Sequence, residues 1–193
     1  MKMKLSLIFG LIVLTGCAGV KSTGFLSNYN TLTDGEFLEK VNVVETLALD
    51  AQSVVAVELP ETKGLGMNAF LSPTEAAQDF RNMVVEWAEQ SGTFKTQDAV
   101  MADYELKTAI TELDPGSRAG RWFGGEIGMG HSKVQVEGYL IRKADNKIIF
   151  EFADRRTGSA HGGLDISGGD SRELLEADLD NIAKSLVQTI GVV

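Results

Sequence analysis

Apolar residues recur at three- and four-residue spacing in two stretches of the chain, and at every second position in three others. In the first helical stretch Ala76, Phe80, Met83, Val84 and Trp87 form one stripe. Ser72-Pro73-Thr74-Glu75 ahead of it reads as a capping box with proline at the first helical position, and Gly92 reads as the stop. The second helix is predicted in "GGDSRELLEADLDNIAKSLVQTIG", with Asp170 as N-cap, Glu173 at N3 and a stripe of Leu175, Leu179, Ile182, Leu186 and Ile190. Alternation predicts strands in "YELKTAI" (Tyr104, Leu106, Ile110), "KVQVEGYLI" (Val134, Val136, Leu140) and "KIIFEF" (Ile148, Phe150, Phe152). "RKADNK" between the last two reads as a tight turn, so they form a hairpin. A further strand is expected over 53–59, ended by Pro60, whereas residues 36–52 fit a strand or a short helix equally.

The resulting order, β-α-β-β-β-α, predicts an α+β two-layer sandwich with a mostly antiparallel sheet and two helices on one face. Polar residues alternate with the apolar ones in each strand, so the other face of the sheet is expected to stay wet. The first strand, helix and second strand make a crossover, which sets those strands parallel if they share the sheet. Three glycine-rich segments, "ETKGLGMNAF", "DPGSRAGRWFGGEIGMGH" and "RRTGSAHGGLDISGGD", then leave the same end. Candidate partner-binding residues gather there: Arg118, Arg121, Trp122, Phe123, His131, Arg155, Arg156 and His161. Two readings stay open. The loops present Trp and Arg, the usual anchors of protein interfaces, or their glycines satisfy positive φ while Trp122 and Phe123 tuck into the domain's own core.

Catalytic chemistry finds no support in the motifs. No phosphate-binding G-x-x-x-x-G-K-[ST] is present, and "GGEIGMG" lacks the spacing and strand-to-helix context of a dinucleotide loop. His131 and His161 stand thirty residues apart without a short-range partner at metal-site spacing. There is no G-x-S-x-G, and Ser159 or Ser167 near His161 follows from loop composition. No catalytic residue, metal or cofactor is therefore assigned.

The N-terminus has its own pattern. Lys2 and Lys4 precede the apolar run "LSLIFGLIVL", and small residues "TGCAG" follow, the layout of a secretory signal peptide. The run is about half the length of roughly 20 residues that a membrane span needs. Leu14-Thr15-Gly16-Cys17 resembles the lipobox of bacterial lipoproteins, and Cys17 is the sole cysteine of the chain. The resemblance implies that Cys17 becomes the acylated mature N-terminus, anchored in a bilayer by several chains at about 0.8 kcal/mol per buried methylene. Ala18 in place of aspartate favours, by the same resemblance, the outer membrane with the domain facing the periplasm. The expected divisions are a signal peptide (1–16), a lipidated N-terminus and tether (17–35) and one α+β domain (36–193). Within the tether, Phe25, Leu26 and Tyr29 of "FLSNY" are apolar enough to dock. Removing residues 1–16 takes the formal charge from -9 to -11, because Lys2 and Lys4 leave with them. Such acidity argues against nucleic acid as a partner and favours solubility.

"GFLSNYN", "FADRRTGS" and "GGDSRELL" resemble segments of the lipoproteins grouped as DUF 3313, and "ITELDPGSRAGRWFGGEIGMGHSKVQVEGYLI" resembles the related DUF 4410 lipoproteins more closely. Both families are uncharacterised, so the resemblance implies an envelope lipoprotein and supplies no activity. The leading expectation is a lipid-anchored, non-enzymatic interaction or accessory module that binds an envelope protein through its glycine-rich end. Binding of a small ligand or glycan is the alternative, and a hydrolase ranks last. Homo-oligomerisation through open sheet edges is compatible with each.

Overall fold

The computed structural model describes residues 19–46, 49–117, 130–158 and 171–193. Among them the chain runs β1 (Thr33–Asp34), β2 (Lys40–Val43), β3 (Val54–Val57), α1 (Pro73–Ser91), β4 (Lys95–Thr96), β5 (Tyr104–Asp114), β6 (Lys133–Arg142), β7 (Lys147–Arg156) and α2 (Ser171–Val192). The strands form one seven-stranded sheet in the order β1-β2-β7-β6-β5-β3-β4. Most pairs are antiparallel; β3 is parallel to β4 and β5, as the α1 crossover requires. This is the expected α+β sandwich, extended by β1, β2 and β4. The open question over residues 36–52 is answered for Lys40–Val43, which pairs antiparallel with β7. No helix among the described residues is long and apolar enough to cross a membrane.

Local signals act as read. Ser72 Oγ accepts from the Glu75 amide at 3.3 Å while Glu75 Oε2 accepts from the Ser72 amide at 3.0 Å, and Gly92 ends α1 at φ 66°. The stripes of both helices bury Phe80, Val84, Leu175, Leu179, Ile182, Leu186 and Ile190 against Leu106, Ile110, Val134, Val136, Leu140, Phe150 and Phe152 of the sheet. Trp87 lies at the rim of that core: its indole N–H donates to Asp180 Oδ1 at 2.8 Å, linking α1 to α2, and Lys184 Nζ sits 4.9 Å from its ring.

Simple alternation fails at two bulges. The register of β7 slips between Phe150↔Leu140 and Ile148↔Ile141, so Ile149 is the extra residue. Ile149 is 3 % exposed and joins the core, and Ile148, expected there, pairs on the opposite face. In β5 the slip between Ile110 and Glu112 hands the core position to Leu113 and sends Glu112 to the other side. Gly138, between Thr108 and Phe152 in the sheet, has no space for a side chain: a Cβ there would lie 2.8 Å from the Lys107 carbonyl oxygen and against the Phe152 ring. Gly138→Ala is expected to cost about 1–3 kcal/mol, the usual range for overpacking a tight core. Urea denaturation of the two proteins measures it.

The second face of the sheet is covered where the middle of β6 crosses it. Gln135 and Glu137 are 1 % and 0 % exposed, because residues 19–31, expected within a tether, lie across them. The segment follows β6 at matched two-residue steps. Lys21 exchanges backbone hydrogen bonds with the Gln135 side chain (2.8 and 2.7 Å), Thr23 Oγ1 donates to Glu137 at 2.9 Å, and Phe25 stacks on Tyr139 with 5.6 Å between rings. Tyr29 then turns back to donate to Glu137, and Leu26 is buried, so "FLSNY" does dock. Thr111 and Gln135 complete the set of donors around Glu137, at 2.8 and 2.7 Å. A buried carboxylate is tolerable only when its lone pairs are taken up in this way. Glu137→Ala strands those donors, each at about 1–3 kcal/mol if left unpaired. Tryptic cleavage after Lys21, followed by mass spectrometry, is expected to accelerate about tenfold in this variant, as local opening of 1.4 kcal/mol requires.

Candidate functional site

Because β3, β5 and β7 run the same way, the segments that follow them leave one end of the sheet, where α1 and α2 also begin. Structure at this end is built from the bases of three loops. In the first, Glu61 bridges to Ala109 of β5, Asn68 Oδ1 accepts from the amides of Phe70 and Leu71 at 3.0 and 2.8 Å, and Leu71 is buried. That turn leaves Met67 and Phe70 on the outside, 86 % and 43 % exposed. Arg172, in the first turn of α2, reaches the Phe70 carbonyl and lies 3.7 and 3.9 Å from Glu75 and Asp79 of α1, so the first loop and both helices share one cation.

The second loop begins with a clamp. Gly116 has φ +67° and packs on the carbonyls of Gly130 and His131, a conformation and a space that exclude any side chain, while its amide donates to Asp114 at 2.9 Å. Ser117 donates to the Gly130 carbonyl at 3.2 Å. The third loop is fastened to the second: the Gly158 amide donates to the Ser132 carbonyl at 3.2 Å, and Ser132 Oγ donates to Asp178 of α2 at 2.8 Å. Burial pushes the Asp178 carboxyl above its ordinary range, against hydrogen bonds from Ser132 and the Gly158 amide. Ser132 is fully buried, so this pair is a structural clamp closed to substrate.

The predicted residues separate. Arg155 and Arg156 are neighbours in β7 and so point to opposite faces. Arg155 turns to the second face, its side chain 2 % exposed, with Nε 2.6 Å from Glu112. Burial raises the Glu112 carboxyl, but Arg155 and Lys21 together bring it below the usual carboxylate range. Arg155 is thus a buried member of the domain's own charge network. Arg156 turns toward α2, 2.7 Å from the buried Asp154, and also donates to the Phe37 carbonyl at 2.8 Å. Burial raises Asp154 despite that arginine. His131 is half-buried beside the Gly116 clamp. Cys17, Arg118, Arg121, Trp122, Phe123 and His161 lie outside the described residues. Among those described, no three His, Cys, Asp or Glu residues gather closely enough to hold a metal ion.

Away from the loop end, a groove of about 390 Å³ opens at the β4 edge, lined by Val57, Arg81, Val85, Thr96, Asp98 and Met101 among others. Sequence reading missed it, since β4 is two residues long and shows no period.

The fold and the loop end define an α+β domain with a helix-covered sheet and no assembled catalytic constellation among the described residues. Comparison with known proteins adds the following. No family model matches the chain, and no curated protein matches. Among solved structures, protein XCC0632 from Xanthomonas campestris, assigned to DUF330, aligns over 78 % of this chain and 91 % of its own at 12 % identity and TM-score 0.53, which shows a shared fold. A PelC dodecamer from Paraburkholderia phytofirmans aligns over 73 % and 96 % (17 % identity, TM-score 0.47), and a minor lipoprotein from Acinetobacter baumannii over 72 % and 92 % (14 % identity, TM-score 0.44).

The clamp makes a pH-dependent contribution with a definite sign. Because the folded-state pKa of Asp178 is raised, ionisation costs stability at neutral pH, and the cost disappears as pH falls through the raised value to below 3.8. Asp178→Asn removes this titration. Denaturation at pH 7.5 and 4.5 is expected to show wild type gaining stability relative to the variant on acidification.

Proposed function

We propose that the chain is a lipid-anchored bacterial envelope lipoprotein of non-enzymatic type, an interaction or accessory module whose contact surface is the loop end. The observation that carries the reading is the sole cysteine, Cys17, placed directly after a basic and apolar leader in a lipobox-like tetrad. The resemblance to the DUF 4410 and DUF 3313 lipoproteins supports it, and Ala18 favours the outer membrane with a periplasmic domain. At the loop end the loop bases are tied together by their own hydrogen bonds, and Met67 and Phe70 stand outward as contact groups. Arg118, Arg121, Trp122, Phe123 and His161 belong in sequence to the loops that leave the same end, and His131 stands at a loop base. A two-residue strand closes each edge of the sheet, leaving little backbone for edge-to-edge pairing, so self-association would use another face.

Two measurements test the reading. Cys17→Ser is expected to abolish metabolic palmitate labelling and to move the protein out of the membrane fraction. A photo-crosslinking residue at Arg121, Trp122 or Gly163 is expected to capture a recurrent envelope component, and an intact, abundant protein giving no adduct at any position would count against the loop end as contact surface. The groove at the β4 edge favours a second reading, binding of a small ligand or glycan, in which muropeptides or sugars raise Tm and Arg81→Ala abolishes the rise.

A further inference from the structure

The course of the N-terminal segment gives the anchored domain an orientation. Lys21 sits over Gln135 near the start of β6 and its ammonium reaches Glu112 near the end of β5, at 2.8 Å. Val20 donates to Glu39 at 2.8 Å, and the Glu39 amide donates to Asp154 near the end of β7. All of these strand ends belong to the loop end. From Lys21 through Thr23 to Phe25 the segment passes Gln135, Glu137 and Tyr139, so it travels away from that end. Followed backwards, the chain leaves the domain at the loop end.

Only Ala18 separates the docked Gly19 from Cys17. Two residue steps span about 7 Å when fully extended. A free tether of residues 18–35 would instead have a root-mean-square reach of roughly 20–25 Å and would let the domain tumble. The docked segment removes that freedom. We infer that the end of the sheet carrying the three loops faces the bilayer, and that the exposed Lys63, Met67 and Phe70 of the first loop meet the lipid surface beside the acylated Cys17. Their chemistry fits an interfacial contact: Met67 and Phe70 offer apolar groups to the boundary of headgroups and acyl chains, and Lys63 offers a cation to phosphate. The acidic chain, at -11 once residues 1–16 are removed, gives a membrane no comparable attraction elsewhere, so the short docked anchor sets the orientation. The tight turn between β6 and β7 then points away from the membrane.

This inference rests on the lipoprotein reading and names the bilayer as the partner of the same loop end. Acylation uses the thiol of Cys17, so Met67→Cys and Ala144→Cys each supply one site for a thiol-reactive fluorophore. The full acylated protein is placed in vesicles of phosphatidylethanolamine and phosphatidylglycerol that carry nitroxide-headgroup lipid. Fluorescence at position 67 is expected to fall by about half and that at position 144 to stay unchanged, since ten-residue strands place the two ends about 30 Å apart. A ten-residue Gly-Ser insertion between Ala18 and Gly19, which leaves the docked segment intact, is expected to abolish the difference. Mass spectrometry of the same samples separates the two levels of the reading. A missing acyl mass on Cys17 overturns the anchor and this inference with it. Acylated protein quenched equally at both positions, at neither, or more at 144 overturns the orientation alone, as does an insertion that changes nothing.

Discussion

A carboxylate buried on the far side of the sheet governs how this molecule is put together. Glu137 is removed from water, and burying a charge without partners costs several kcal/mol even after the protein relaxes. Two of its partners, Thr111 and Gln135, come from the sheet, and two, Thr23 and Tyr29, come from a segment more than one hundred residues earlier in the chain. The N-terminal segment and the carboxylate therefore depend on each other. Without the segment Glu137 would regain water and the sheet would keep one solvated face; with it, that face becomes a second, polar layer of packing opposite the helices.

That layer contains more than one carboxylate. Arg155 and Lys21 meet at Glu112, Asn42 donates to Glu151 at 2.8 Å, and Phe25 covers Tyr139. Its donors and acceptors are short-range and directional, so it specifies the path of the N-terminal segment more sharply than apolar packing would. The helix face does the opposite work. Its aliphatic and aromatic contacts supply the burial that holds the fold together, and they leave direction to the strands. Stability comes mainly from one side of the sheet, and the placing of the N-terminus comes from the other.

At the loop end the two sides converge. Asp178 of α2 holds Ser132 and Gly158, Arg172 of α2 holds the first loop, and Arg156 pairs with Asp154 of its own strand and ties β7 to the Phe37 carbonyl. Three loop bases are thus fastened to one helix, a stable platform from which the longer glycine-rich segments depart. The lipid anchor proposed at Cys17 would leave from the same platform, two residue steps, about 7 Å of extended chain, from the docked Gly19.

Much of this was legible in the residues themselves. The capping box of α1, its glycine stop, the apolar stripes of both helices and the β6-β7 turn all depend on neighbours within a few positions, and such local chemistry is written in the local sequence. The convergence of the loops at one end followed from the crossover alone. What stayed hidden was non-local. A one-residue bulge exchanged Ile148 for Ile149 in the core, and alternation carried four residues past Phe152 would have placed Asp154 and Arg156 inward and Arg155 opposite, yet nothing nearby announced Glu112 as its partner. Polar alternation at Gln135 and Glu137 looked like a wet surface, since a pattern records polarity and cannot record which distant donors will cover it. Sequence alone determined the helices, the hairpin and the lone cysteine that suggests an anchor. Only the tertiary structure decided that the residues after that cysteine dock, because their partners lie 114 positions away and come within hydrogen-bonding distance only once the sheet has formed.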